Sequence, residues 1–246
     1  TTAPTRRSTS DIVFLKLGLL ALVMHAFGRK TAPGNMRPKI NISGMGVLAG
    51  VIGFVSVVVS LHLLQPNYDP IHQHISELAM GPYGSMMLFA FCSFAISVFS
   101  AQQGLGSMGS LQVIRVMLSV AAACLCGAGI FKLNDAAVLH VALIALAFVL
   151  LVLAMYLLPR LAAEFNSRRS RITSWGLAAG TAISVALGGS LPDGLVQRAA
   201  AACILVWLFW VGLRIIRPER GSNAEQMDRL DGKARRSSLK RWVTKS

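Results

Sequence analysis

A chain of 246 residues that is 54% hydrophobic and only 14% charged does not fit a soluble domain, in which about a quarter of residues carry charge. Its apolar residues fall in long uninterrupted blocks, the pattern of segments whose solvent is lipid. The net charge of +14 sits beside those blocks, where membrane topology already calls for it, so nucleic acid is excluded as a partner.

Residues 1–43 form an N-terminal segment with one apolar stretch, 12–27, behind Arg6 and Arg7. It resembles a signal peptide, but Lys16 and His25 interrupt it and no small-x-small cleavage site precedes Arg29. It reads as a seventh span or an interfacial helix. Six core spans are expected at about 44–64, 84–101, 110–131, 136–158, 174–190 and 195–215, each of a length that crosses a bilayer. Each must be helical, because an isolated strand would leave backbone groups unsatisfied in lipid. The expected fold class is therefore all-α, a polytopic transmembrane helical bundle with its core at 44–215 and a basic tail at 216–246.

Cys92, Cys124, Cys126 and Cys203 all fall inside these spans, so no disulfide framework is expected. Gly46 and Gly50, and again Gly176, Gly180, Ser184 and Gly188, recur every four residues. Small residues at that spacing let helices approach closely, within the bundle or against a membrane-protein partner or second copy. The short linker 191–194 makes the last two spans antiparallel neighbours.

Loops 29–43 and 159–173 and the tail are strongly basic, whereas loops 65–83, 132–135 and 191–194 carry Asp69, Glu77, Asp135 and Asp193 against the single Lys132. The two groups alternate along the chain. The basic side, with the C-terminus, is expected to be cytoplasmic. The end of the tail, with Arg235, Arg236, Lys240, Arg241 and Trp242, suits an anionic membrane surface.

Polar residues gather on the other side. Asp69 before Pro70 reads as a helix start and Gly81-Pro82 as its stop. The three turns between them would lie across the outer mouth, with Ile71, Ile75 and Leu78 on the bundle face. His72 and Ser76 would then be neighbours on one flank, His74 and Glu77 on the other. Asp135, with His140 one turn further on, and Asp193, with Gln197 and Arg198, open two spans at the same level. Both aspartates read as N-caps. Arg198 opposes the helix dipole there, and reads as an ion pair with Glu77, Asp135 or Asp69, as a contact to a ligand phosphate, or as a side chain reaching to headgroups.

The run Gln65-Pro66-Asn67-Tyr68-Asp69-Pro70, followed by His72-x-x-x-Ser76-Glu77-Leu78 and Gly81-Pro82-Tyr83-Gly84, resembles the signature of a bacterial membrane family of unknown function, domain 998. Phe131-x-x-x-Asp135 followed by His140, and Gly194-x-x-Gln197-Arg198, are similar to its later motifs. The resemblance covers 44–215. It implies a bacterial inner-membrane protein and marks residues to watch, without implying a chemistry.

Two classes of function follow. The sequence leans to an accessory, structural or ligand-binding subunit of a membrane assembly, in contact with lipids, because no compact catalytic motif is present. The alternative is a hydrolase or transferase acting on lipid at the outer face, with His72, Ser76, Glu77, Asp135, His140 and Arg198 as catalytic candidates. Ser76 beside His72 would be a nucleophile with its base, and Arg198 would clamp a phosphate. His72, His74 and His140 are the candidate metal ligands, of a type that suits zinc. A transporter lacks inverted repeats, a retinal protein lacks a lysine in 195–215, and a haem site would have to use His62 and His140.

Overall fold

The computed structural model describes residues 42–106 and 111–216. The stretch 12–27 and the basic tail lie outside them. Six long helices follow in order: α1 (Ile42–Leu64), α2 (Met86–Gly106), α3 (Gln112–Ile130), α4 (Ala137–Leu161), α5 (Arg168–Ala186) and α6 (Asp193–Ile216). Short 3-10 helices occupy Ile75–Met80 and Ala163–Phe165. The all-α expectation holds, and among the described residues there is no strand, only an isolated bridge between Gly188 and Leu191.

Each helix packs on its neighbour in the chain, and α6 returns to α1 to close a ring. Five helices are long and apolar enough to cross a membrane by length and composition. The exception is α5, which opens with Arg168, Arg169 and Arg171. It nevertheless runs the height of the bundle. Its Ser174 Oγ bonds the Met155 carbonyl of α4 at 2.6 Å, and the chain after it delivers Leu195 N–H to the Ile71 carbonyl at the far end, 3.0 Å away. The sequence placed this span at 174–190. The helix starts earlier because Ser167 caps it, accepting from Ser170 N–H at 3.2 Å. It stops earlier because Gly189 takes a positive φ of 83°, which favours glycine and turns the chain.

Side chains explain which helices touch. A Cβ on Gly50 would lie 2.5 Å from the Ser93 carbonyl oxygen and 2.6 Å from Ser97 N, so α1 and α2 are in backbone contact there. Ser97 Oγ completes the contact by donating to the Val47 carbonyl at 2.9 Å. Between α5 and α6, fully buried Trp207 donates through Nε1 to Ser174 Oγ at 2.9 Å. Such bonds are worth about 1 kcal/mol each in an apolar setting. The expected small-residue row on α5 serves less: a Cβ on Gly180 would lie 3.0 Å from Cys203 Sγ, one on Gly176 would have no described atom within 4 Å, and Gly188 lies beyond the helix end.

The ring is lopsided. α1, α2, α3 and α6 enclose a core of Val47, Phe54, Phe91, Phe94, Leu125 and Ile204. The contact between α4 and α6 is slight by comparison, and a cleft opens between α4, α5 and α6.

Candidate functional site

The loop between α1 and α2 covers one end of the bundle as a plug. It is not the single three-turn helix expected from Asp69 and Gly81. Asp69 does start a turn: its Oδ1 accepts from Ile71 N–H at 2.8 Å and its carbonyl from Gln73 N–H at 2.9 Å. There the turn ends. The Gln73 and His74 carbonyls are both within reach of the Tyr68 hydroxyl, at 3.1 and 2.8 Å. The Gln73 carboxamide folds back on Asp69 N–H at 2.7 Å. A fresh 3-10 helix then begins at Ile75, with His74 N–H donating to the Glu77 carboxylate at 2.9 Å.

Arg198 latches this plug to α6. Its Nη1 donates to the Gln73 carbonyl at 2.9 Å and to the Gly194 carbonyl at 2.8 Å. Its Nη2 meets the Tyr68 hydroxyl and the His62 Nε2, the latter at 3.1 Å. His62 Nδ1 lies 2.6 Å from the Val58 carbonyl, so it carries the ring proton and Nε2 accepts. The expected ion pair with Glu77, Asp135 or Asp69 is not formed: the guanidinium is held by neutral acceptors. Burial raises the Tyr68 phenol above its ordinary 10.0 while the bond from Arg198 opposes this, so the hydroxyl keeps its proton and can both donate and accept. Gly194 lets the plug approach, since a Cβ there would lie 2.7 Å from the Ile71 carbonyl oxygen. Gln197 adds a second latch, accepting from Ile75 N–H at 2.6 Å.

The remaining candidates separate. His72 is exposed and pairs with Asp69 at 2.7 Å, whereas Ser76 is buried; the expected flank that joined them does not form. Asp135 does not cap α4: Ala136 holds that position, and Asp135 is exposed in a turn. Among the described residues no three His, Cys, Asp or Glu side chains gather as a metal-ligand group, so His72, His74 and His140 are not brought together as a zinc site.

What the fold does assemble is a cavity of about 660 Å³ between α4, α5 and α6, within the usual range for small-molecule sites. Its long wall is apolar, with Val141, Ile144, Phe148 and Val152 facing Ala182 and Val185. Its polar end, beneath the plug, holds His74, Ser76, His140, Asp193 and Gln197. His140 is only 3% exposed. Its Nδ1 lies 2.9 Å from the Ala128 carbonyl and 2.8 Å from the Phe131 carbonyl, and its Nε2 is buried without a partner among the described residues. The sequence flagged His140, Ser76 and His74 but missed the cavity and the part Gln197 plays in it. Gln197 was visible only as a polar residue one turn into a span.

The Asp69 pair carries a pH prediction. The hydrogen bond from His72, and then that from Ile71 N–H, hold the Asp69 carboxyl below its ordinary 3.8. A depressed folded-state pKa stabilises the fold above the unfolded value and loses that contribution as pH falls through the folded one. Protection of the Ile71 and His72 amides, taken relative to their intrinsic exchange rates at each pH, is expected to stay flat from neutral pH to about pH 4 and to fall below it, with the fall blunted in Asp69→Asn. Identical acid profiles for the two proteins would refute the assignment.

A protein-family model described as "Protein of unknown function (DUF998)" matches residues 47–214. No curated protein matches the chain, and no solved structure does.

Proposed function

The chain belongs to the DUF998 family of unknown function, and on that premise we propose from its own geometry that it is a membrane protein that binds a single-chain lipid in the α4–α5–α6 cleft. The observation that carries this reading is the cavity itself: an apolar trough of about 660 Å³ that ends at a small set of polar side chains under the plug. An apolar chain would lie along Val141, Phe148 and Val152, and a polar head would reach His140, Ser76 and Gln197. The walls already expose Val141, Val149 and Val185, so a chain can enter sideways from the bilayer.

The charge pattern supports a cytoplasmic-membrane orientation with the plug outward and the C-terminus inside. Arg160, Arg168, Arg169, Arg171 and Arg214 belong to the end opposite the plug, and Asp69, Glu77, Asp135 and Asp193 to the plug end. Binding is preferred to catalysis because, among the described residues, no serine and histidine side chains in the cleft are hydrogen-bonded as nucleophile and base. An accessory role beside a membrane partner is the second reading. Its support is Gly176, where a Cβ would meet no described residue within 4 Å, and its test is co-purification in mild detergent from native membranes.

Ala145 and Ala182 line the cleft and are exposed, so phenylalanine at either position would fill it without crowding the core. Native mass spectrometry of the purified chain is expected to show one retained lipid, with occupancy at least about tenfold lower in Ala145→Phe and Ala182→Phe. Equal lipid content in all three proteins would overturn the proposal.

A further inference from the structure

We infer that the cleft selects lipids with an uncharged, hydrogen-bond-donating head group, and that His140 Nε2 is the acceptor that recognises it. The inference rests on the reading of the cleft as a lipid site and names the class of lipid. It starts from the imidazole. Both groups beside Nδ1, the Ala128 and Phe131 carbonyls, can only accept, so in the neutral ring the hydrogen sits on Nδ1. Nε2 is then a bare acceptor. It is buried with no donor among the described residues, in a side chain that lines the cavity. Buried polar atoms normally have a partner, and the cavity is where one can come from.

The neighbouring groups specify what that partner is. The Gln197 carbonyl is occupied by Ile75 N–H, which leaves its amide hydrogens to donate. Ser76 adds a hydroxyl, and Asp193 adds a carboxylate to the same end. The cation nearby, Arg198, directs its guanidinium to Gln73, Gly194, Tyr68 and His62 and does not line the cavity. A phosphate or carboxylate head would thus meet an acidic side chain and an imidazole lone pair, with no lysine or arginine among the described residues that line the cavity. A hydroxyl head would donate to Nε2 and accept from Gln197 or Ser76. Long-chain alcohols and monoacylglycerols have this chemistry.

The test uses the purified full chain in mild detergent, with two probes of one chain length: 1-monooleoylglycerol and 1-oleoyl lysophosphatidic acid. The wild-type protein is expected to prefer the glycerol head by at least about tenfold, the effect of one or two well-placed hydrogen bonds. His140→Asn should keep a donor toward the two carbonyls while removing the Nε2 acceptor, and should lose that preference. A probe pair that needs no variant is oleyl alcohol and its methyl ether, which cannot donate; the ether should bind about tenfold more weakly. Equal binding of the two heads, preference for the phosphate, an unchanged preference in His140→Asn, or equal binding of alcohol and ether would each overturn the inference while leaving the cleft as a lipid site. Failure of every probe to bind the wild-type protein, with the lipid content equally indifferent to Ala182→Phe, would overturn the lipid site as well.

Discussion

Arg198→Met is expected to release the plug and to cost about 3–5 kcal/mol of stability. The substitution keeps much of the side chain's apolar stem but removes every donor. It leaves the Gln73 and Gly194 carbonyls, the Tyr68 hydroxyl and the His62 Nε2 without the group they share. Hydrogen bonds to a charged donor are worth about 1.5–3 kcal/mol each, and buried acceptors left behind add their own desolvation cost. In a thermal melt in detergent the midpoint should fall by roughly 10 °C. Amide exchange should rise across 65–81 first, because that segment loses its anchor to α6. Arg198→Lys should retain part of the effect, since an ammonium restores the charge but cannot reproduce a planar fork reaching four acceptors. A melt and an exchange map indistinguishable from wild type would remove Arg198 from its role as latch.

Gly50→Val is expected to be comparably damaging, at about 3 kcal/mol or more, through a different mechanism. The new Cβ would press on the Ser93 carbonyl oxygen at 2.5 Å and Ser97 N at 2.6 Å. Both belong to the backbone of α2, so no rotamer change relieves the clash and the helices must part. The Ser97 bond to the Val47 carbonyl would go with them. Gly176→Ala supplies the contrast. No described residue lies within 4 Å of its added methyl, and alanine is favoured over glycine inside a helix by about 1 kcal/mol. The first variant should lower the detergent melting point and the second should leave it equal or higher. A reversal of that order would mean the α1–α2 contact is not as close as described.

These two glycines also show where sequence reading works and where it stops. Both lay in small-residue rows at a spacing of four, and the spacing alone ranked them alike. Only the position of Ser93 and Ser97 on the facing helix separates a crowded glycine from an open one. The apolar blocks were legible because hydrophobicity in lipid is a property of each segment by itself. The plug was half legible. Asp69-Pro70 and Gly81-Pro82 mark real boundaries, but the helix between them breaks where the Gln73 and His74 carbonyls turn to Tyr68, and Gln73 also to Arg198. The latter partnership spans 125 residues. Arg198 was conspicuous as a cation at a helix start, yet the only partners the sequence offered it within the protein were carboxylates, beside a ligand phosphate or headgroups, because backbone carbonyls leave no trace in a sequence. The cleft was illegible for a related reason. It exists because α4 and α6 diverge, and a missing contact has no residue signature.

The order of the ring bears on how the protein is made. Each helix packs on the one before it in the chain, so α1 to α5 can assemble as they emerge, with mostly local contacts. The plug is synthesised after α1, but the residues that fasten it, Leu195, Gln197 and Arg198, belong to α6. Its mouth therefore stays unfastened until α6 enters and closes against α1. The same step supplies one wall of the cleft, so a truncated or misinserted chain would expose a loose polar loop and half a trough. α6 is thus the clasp of the bundle: until it is in place, neither the plug nor the cleft is complete.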